Sequence, residues 1–243
     1  MSAKGRGDHT GGAEDFYSTP FWCVDRLLDF IGGPPDDVIL DPCAGSGAII
    51  RAVTRWCVDW DQYAPAWHVA ELRAEEKSVL AQAGPILDVD CPRDSLHTPV
   101  GWDGVIITNP PYGLAQEFIE TYALCSSRSY WLLRLNFLGS VRRAPMWHEF
   151  MLNGKMPNIY VLPNRPCFAL TKEKKNGVLT GRMVPGTDAC EYAWFEFGEA
   201  ARGEVLVLDQ TSDEDLEKAK QQLKDAYERQ QLKEQGQMEM FNA

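Results

Sequence analysis

Two short apolar runs in this chain each stop at a turn built from chemically unusual residues. Val38-Ile-Leu-Asp41 passes directly into Pro42-Cys-Ala-Gly45-Ser-Gly47, and Asp103-Gly-Val-Ile-Ile-Thr108 passes into Asn109-Pro110-Pro111-Tyr112. Runs of this kind read as buried strands of a parallel sheet covered by helices. In open α/β sheets ligands bind beyond the carboxyl ends of the strands, so both turns fall where a site would form.

The rest of the chain supports such a sheet. Strand candidates lie at 37–41, 67–71, 86–90, 103–108, 129–135, 158–162 and 191–197, and helical ones at 46–56, 73–83, 114–124, 139–152 and 212–234. Upstream, Tyr17-Ser-Thr19-Pro20 opens a helix that runs to about Ile31, with Thr19 suited to cap it and Pro20 to its first turn, before Gly32-Gly-Pro-Pro35 breaks it. Alternation over the first five units predicts an α/β fold with a mostly parallel sheet and helices on both faces. The last two strands lack a full helix between them, which predicts a hairpin with one strand antiparallel. With 243 residues the chain is long enough for one domain with a full core. We place that domain at 16–208, with a Gly-rich, polar and disordered segment at 1–15 and a helical tail at 209–243.

No stretch approaches a membrane span, and Met1 to Gly12 lacks the apolar core of a signal peptide, so the sequence reads as cytoplasmic. The seven cysteines are scattered and never form Cys-x-x-Cys, and the four histidines are equally dispersed, so neither a disulfide framework nor a zinc site is expected. The net charge of −11 argues against indiscriminate nucleic-acid binding, yet it is unevenly spread. Between Arg128 and Arg182 six Arg and four Lys face only Glu149 and Glu173, a local charge of +8. Such a window is a candidate phosphate-binding face, with Arg134, Arg142, Arg143, Arg165, Lys172, Lys174, Lys175 and Arg182 as its contacts; a solvated rim of ordinary loops is the plainer alternative.

Together the glycine turn and the Asn-Pro-Pro-Tyr turn resemble those of S-adenosylmethionine-dependent amino-methyltransferases, above all those acting on the exocyclic N6 of adenine in DNA. The chemistry of the second turn suits that task. An adenine amino nitrogen is a poor nucleophile because its lone pair is delocalised into the ring. The Asn109 side-chain oxygen and the Pro110 carbonyl would accept its two N–H bonds and free the lone pair, and Pro110 and Pro111 would hold those acceptors in place beforehand. Tyr112 would offer a stacking face to a base flipped from the duplex. A Pro-Pro turn followed by an unrelated aromatic is the bland alternative.

The resemblance also implies a cofactor pocket for S-adenosylmethionine and a Rossmann-like, seven-stranded sheet in the order 3-2-1-4-5-7-6. Ala44, Gly45 and Gly47 would let backbone amides approach the methionine end of the cofactor, Asp41 would hold its ammonium, and Glu71, ending the run Trp67-His-Val-Ala-Glu71, would take the ribose hydroxyls. Ile50 stands where the dinucleotide fingerprint Gly-x-Gly-x-x-Gly has its third glycine, which favours a cofactor without a pyrophosphate. For the cofactor's adenine amino group Asp94 matches best, with Asp90 and Asp88 as rivals, and Gly113 to Phe118 would lie beside that ring. Tyr17, Thr19 and Pro20 match the family's aromatic-x-Thr-Pro segment on the methionine side, although they also read as a plain helix start.

Downstream, Leu132-Leu-Arg-Leu-Asn-Phe-Leu138, Arg142-Arg143, Val161-Leu-Pro-Asn-Arg165-Pro-Cys-Phe168 and Asp188-Ala-Cys-Glu-Tyr-Ala-Trp194-Phe resemble the phage-encoded and solitary DNA adenine methyltransferases. Only residues 48–108 separate Gly47 from Asn109, too few for a large recognition domain. Double-stranded DNA would then be read from Pro166 to Pro185, expected to be a mobile basic loop. Gln237-Met238-Glu-Met240-Phe241, after Gly236, resembles the peptide by which bacterial replication proteins dock on the sliding clamp, here on a flexible tether. Methylation of a glutamine amide in protein, methylation of cytosine N4, and a catalytically inactive DNA- or clamp-binding protein of the same fold remain alternatives.

Overall fold

The computed structural model describes residues 18–175, 178–186 and 189–241. The predicted disordered start and Tyr17 lie outside them. In chain order the strands are β1 (Val38–Asp41), β2 (Ala66–Ala70), β3 (Ile86–Asp90), β4 (Val105–Thr108), β5 (Arg128–Arg134), β6 (Asn158–Leu162), β7 (Ala169–Lys175), β8 (Val178–Gly186), β9 (Tyr192–Gly198) and β10 (Val205–Val207). The α-helices are α1 (Phe21–Ile31), α2 (Ala48–Asp59), α3 (Lys77–Leu80), α4 (Ala115–Tyr122), α5 (Ala144–Leu152) and α6 (Asp213–Phe241).

Eight strands form one sheet in the order β10-β6-β9-β5-β4-β1-β2-β3. Strands β1 to β5 pair in parallel, β9 runs antiparallel to β5 and β6, and β10 is parallel to β6. The expected order 3-2-1-4-5-7-6 is therefore present, with β9 in the seventh place, and β10 extends it to eight strands. β10 escaped the sequence reading because Val205, Leu206 and Val207 are all exposed and show no alternation.

Side chains alternate across the pleat and divide the core into two layers. Ile39, Val105, Ile107, Tyr130 and Leu132 face a layer shared with α1 and α2. Leu40, Ile106, Trp131 and Leu133 face the opposite layer, closed by Phe118, Ile119, Trp147 and Phe150 of α4 and α5. The two loaded turns thus leave the carboxyl ends of adjacent strands, since β1 pairs directly with β4.

Three local expectations need correction. The helix expected at 73–83 shrinks to a 3-10 turn, Ala74–Glu76, and the one-turn α3, because only Leu80 and Ala83 reach the core there. The basic loop from 166 to 185 contains an antiparallel hairpin of its own, β7 with β8, whose ladder pairs Thr171 with Val184 and Lys172 with Met183. The tail helix begins at Asp213, one residue from its expected start at 212, with Ser212 accepting the Asp215 N–H at 3.1 Å, but it runs past 234 to Phe241. Gly236 alone, amid Glu, Gln and Lys, does not stop it. Its first turns are not a loose appendage. Leu216 and Ala219 pack on the core layer of α1, and the helix also meets β7 and β8.

Candidate active site

A cleft of about 360 Å³ opens at the carboxyl ends of β1, β2 and β4. Asp41 lies at its floor, 1% exposed, and accepts the Thr108 hydroxyl at 2.7 Å and the Cys43 N–H at 3.0 Å. Both bonds fall on Oδ1. Burial raises the Asp41 carboxyl to about 7, and the neighbouring Glu71 charge adds to the shift against the two hydrogen bonds. Glu71, 6% exposed just beyond β2, accepts the Gly45 N–H at 2.8 Å through one carboxylate oxygen. Its other oxygen accepts the backbone N–H and the guanidinium Nε of Arg73, at 2.9 and 2.8 Å. The acid of the second strand therefore shapes the glycine turn of the first.

The turn after β4 stands on the opposite wall, where Asn109 and Pro111 line the cleft. The Asn109 amide nitrogen donates to the Thr19 hydroxyl at 3.0 Å, and its Oδ1 is buried without a hydrogen-bond partner among the described residues. A buried acceptor left open is costly in a folded chain. Tyr112 lies on the other side of the turn, lining a second cavity of about 170 Å³ with Arg134, Asn136, Phe137 and Arg143. The turn is thus a partition between a larger and a smaller chamber. The Tyr112 ring sits among Phe168 and Tyr192, with ring centroids at 6.3 and 5.6 Å. The Arg134 guanidinium lies over the same ring at 4.8 Å and donates to the Tyr192 hydroxyl at 2.9 Å.

Of the predicted cofactor residues, Thr19, Asp41, Ala44, Gly45, Glu71 and Asp94 line the cleft, as do Leu114 and Phe118 from the stretch after the turn. Of the three rival acids Asp94 lines the cleft, its Oδ1 accepting the Leu96 and His97 N–H groups, whereas Asp90 pairs with Arg93 and Asp88 is exposed on β3. Two predicted residues stand elsewhere. Pro20 is buried and takes the N-cap position of α1, which displaces Thr19 from the capping role. Gly47 is off the cleft wall; it has φ +81°, and a Cβ there would come 2.4 Å from the Ala83 Cβ. Its missing side chain makes room for the packing of Ala83.

The basic window is less available than its sequence implies. Arg142 pairs with Glu117 and Arg165 with Glu191, both acids lying outside the window. Arg128 Nε stands 3.3 Å from the buried Glu196, which also accepts from Tyr130, Asn158 and Tyr160. Arg143 donates to the carbonyls of Phe137 and Gly139 at 2.7 and 3.1 Å while stacking on Phe137. Lys172 is exposed on β7, Lys174 and Lys175 follow on the same strand, and Arg182 lies on β8. Arg134 and Arg143 thus line the cavity with Tyr112, Lys172, Lys174, Lys175 and Arg182 belong to the hairpin, and Arg142 and Arg165 belong to neither group.

Sequence reasoning missed Thr108, Arg73 and Arg93 at the cleft and Asn136 and Phe137 at the second cavity. Thr108, as the last residue of β4 beside β1, carried a usable signal; Asn136 and Phe137 fell within the string Leu132–Leu138 without being assigned a role, and Arg73 and Arg93 lie in loops with no signal. The predicted clamp peptide forms the last residues of α6, and its side chains lie outside the described parts. Among the described residues no helix is long and apolar enough to cross a membrane.

No protein-family model and no curated protein matches this sequence. Solved structures do match the fold. The methyltransferase subunit of a type I restriction-modification system from Streptococcus thermophilus is similar with a TM-score of 0.54 at 12% identity, over 88% of this chain and 54% of that one. The M protein of the type I restriction enzyme EcoKI is similar with a TM-score of 0.52 at 14% identity, over 84% of this chain and 52% of that one. A Listeria monocytogenes protein described as a class I S-adenosylmethionine-dependent methyltransferase gives a TM-score of 0.52 at 14% identity, over 79% of this chain and 64% of that one. The chain spans about half the length of the restriction-modification subunits it matches. With its strand order, its antiparallel β9 and these likenesses, the chain has the Rossmann-like fold of the class I methyltransferases.

Proposed function

We propose that the protein is an S-adenosylmethionine-dependent DNA methyltransferase that modifies the exocyclic N6 of adenine. The observation that carries the reading is the buried Oδ1 of Asn109, without a partner among the described residues, on the turn between the two chambers. An acceptor in that state suits a substrate that brings N–H bonds and a delocalised lone pair.

The residues of the larger chamber fit S-adenosylmethionine. Its volume of about 360 Å³ lies in the range of small-molecule sites. Asp41, with both of its bonds on one oxygen, has the other for an ammonium. Glu71 would take ribose hydroxyls while its existing bonds hold the glycine turn. Asp94, Leu114 and Phe118 would surround the adenine. When bound, this cofactor supplies an electrophilic methyl group.

The chain's own residues supply the rest. Asn109 Oδ1 accepts one N–H of the target amino group and the Pro110 carbonyl the other, which draws the nitrogen toward tetrahedral geometry. Tyr112 and the smaller chamber receive the flipped base. Arg134, Arg143 and the hairpin cations would meet phosphates, and the names of two similar structures, both from type I restriction systems, agree with a DNA substrate. The C-terminal peptide, resembling a sliding-clamp ligand, would bring the enzyme to replicating DNA.

The test is transfer of labelled methyl from S-adenosylmethionine to DNA, followed by digestion and detection of N6-methyladenine. Asn109→Ala is expected to lower turnover roughly a hundredfold or more while cofactor affinity holds, as for loss of one pre-aimed polar group at a reacting centre. Label appearing in protein glutamine or in cytosine, with none in adenine, would overturn the substrate assignment.

A further inference from the structure

The Thr-Pro pair before α1 would ordinarily be a helix start, its hydroxyl capping the first turn. Here it is not. The N-cap of α1 is Pro20, the helix receives no side-chain cap, and the Thr19 hydroxyl is instead 3.0 Å from the amide nitrogen of Asn109, ninety residues away in sequence. Thr19 is only 4% exposed, so water does not compete freely for that contact. A side-chain amide has two chemically opposite ends of nearly the same shape, and a quarter-turn or flip would present N–H donors where an acceptor is needed. The bond to Thr19 leaves Oδ1 as the end without a partner among the described residues.

We propose that Thr19 is a positioning residue for the transfer step: it anchors the Asn109 amide nitrogen so that the acceptor oxygen faces the substrate. This rests on the methyltransferase reading above and gives Thr19 a role other than cofactor contact. Because Thr19 lies on the segment leading into α1 and Asn109 on the turn after β4, the bond also ties the N-terminal edge of the cleft to the reacting centre. The anchoring acts through Asn109 alone, so it bears on turnover rather than on cofactor capture.

The experiment compares Thr19→Val, Thr19→Ala and Thr19→Ser in the full chain, with folding checked by thermal denaturation. In Thr19→Val and Thr19→Ala, kcat for DNA should fall about tenfold with KM for DNA and calorimetric affinity for S-adenosylmethionine unchanged, and Thr19→Ser should restore kcat. In an Asn109→Ala background the Thr19→Val change should have no further effect, since the group it orients is gone. A second readout needs no turnover. In protein labelled with ¹⁵N-asparagine, the side-chain amide signal that disappears in Asn109→Ala should shift in Thr19→Val and stay in place in Thr19→Ser. Equal kcat in wild type and Thr19→Val, or an amide signal indifferent to the valine, overturns the proposal. A loss of cofactor affinity matching the loss of kcat, without rescue by serine, does so as well and returns Thr19 to the cofactor. If the wild-type protein transfers no methyl to DNA, the function proposed above falls, and the Asn109 signal alone decides for or against the anchor.

Discussion

The carboxylate of Glu71 accepts the backbone N–H of Gly45 at 2.8 Å, joining the end of the second strand to the glycine turn that follows the first. A charged acceptor on a backbone donor in a buried setting is worth more than a neutral bond, about 1.5–3 kcal/mol. The same carboxylate is the expected ribose ligand. Glu71→Ala should therefore weaken S-adenosylmethionine binding by roughly tenfold to a hundredfold, through loss of the ligand and loosening of the turn together. Glu71→Gln retains an acceptor for Gly45 and should lose less. Titration calorimetry reads both, and wild-type affinity in the alanine variant would remove Glu71 from the site.

Asp41 sets a pH dependence whose sign follows from its environment. Its carboxyl is raised to about 7, well above the unfolded value of about 3.9. The protonated form is thus favoured in the folded, ligand-free protein: the stability it contributes is present below the unfolded value and is lost as pH rises through about 7. The melting temperature of the ligand-free protein should accordingly fall as pH rises from about 4 to about 7 and level off above, and Asp41→Asn should flatten that slope. A bound ammonium favours the ionised form, so cofactor binding should release a proton and tighten about tenfold between pH 6 and pH 8. Calorimetry in buffers of different ionisation enthalpy detects the proton. An unaltered pH slope in Asp41→Asn would assign it to another group.

Arg134 lies over the ring of Tyr112 at 4.8 Å, on a residue proposed to stack with the target base. A base taking that position must displace the guanidinium or share the ring with it. Tyr112→Ala should weaken the flipped-base complex by about 1–3 kcal/mol, the usual worth of one stacked base. Arg134→Ala removes a cation beside the chamber and should weaken DNA binding while making it less salt-dependent. A fluorescent base analogue at the target position reports the first, and a salt titration of affinity the second. Unchanged emission in Tyr112→Ala would exclude the ring as a stacking platform.

The elements legible in the sequence were those whose burial left a local trace. β1 and β4 announce themselves because almost every residue in them is buried, and the acidic stretch Thr211-Ser-Asp-Glu-Asp215 announces the start of α6. The acids Asp41 and Glu71 were placed by their position at strand ends. What could not be read locally was long-range. The Thr19–Asn109 bond joins residues ninety apart, and Thr19 beside a proline looks like any helix cap. Likewise a charge count over 128–182 cannot know that Glu117 and Glu191, outside it, neutralise Arg142 and Arg165. Gly47 was legible as a necessary glycine but not for its reason, because Ala83, which a side chain there would strike, lies 36 residues away (47 to 83).

The tail gives the last prediction. Residues 237–241 continue α6, whereas a clamp ligand of the kind they resemble was expected on a flexible tether. A single glycine within polar residues, in the last turns of α6 and well beyond the core contacts of Leu216 and Ala219, gives little resistance to unwinding. Docking would then cost only the loss of the final turns. Removing residues 236–243 should leave the melting temperature and activity on short oligonucleotides unchanged. Retention on an immobilised sliding clamp should be lost, and Phe241→Ala should reproduce the loss. For a chain of net charge −11, long-range attraction to DNA is weak, so a tether to a DNA-encircling partner would raise local substrate concentration more than added cations elsewhere. Helix-favouring replacement of Gly236 by Ala should weaken clamp retention if unwinding precedes docking, and leave it unchanged if the peptide binds as a helix. Equal retention of the full-length and deleted proteins would show that the resemblance of this pentapeptide is coincidental.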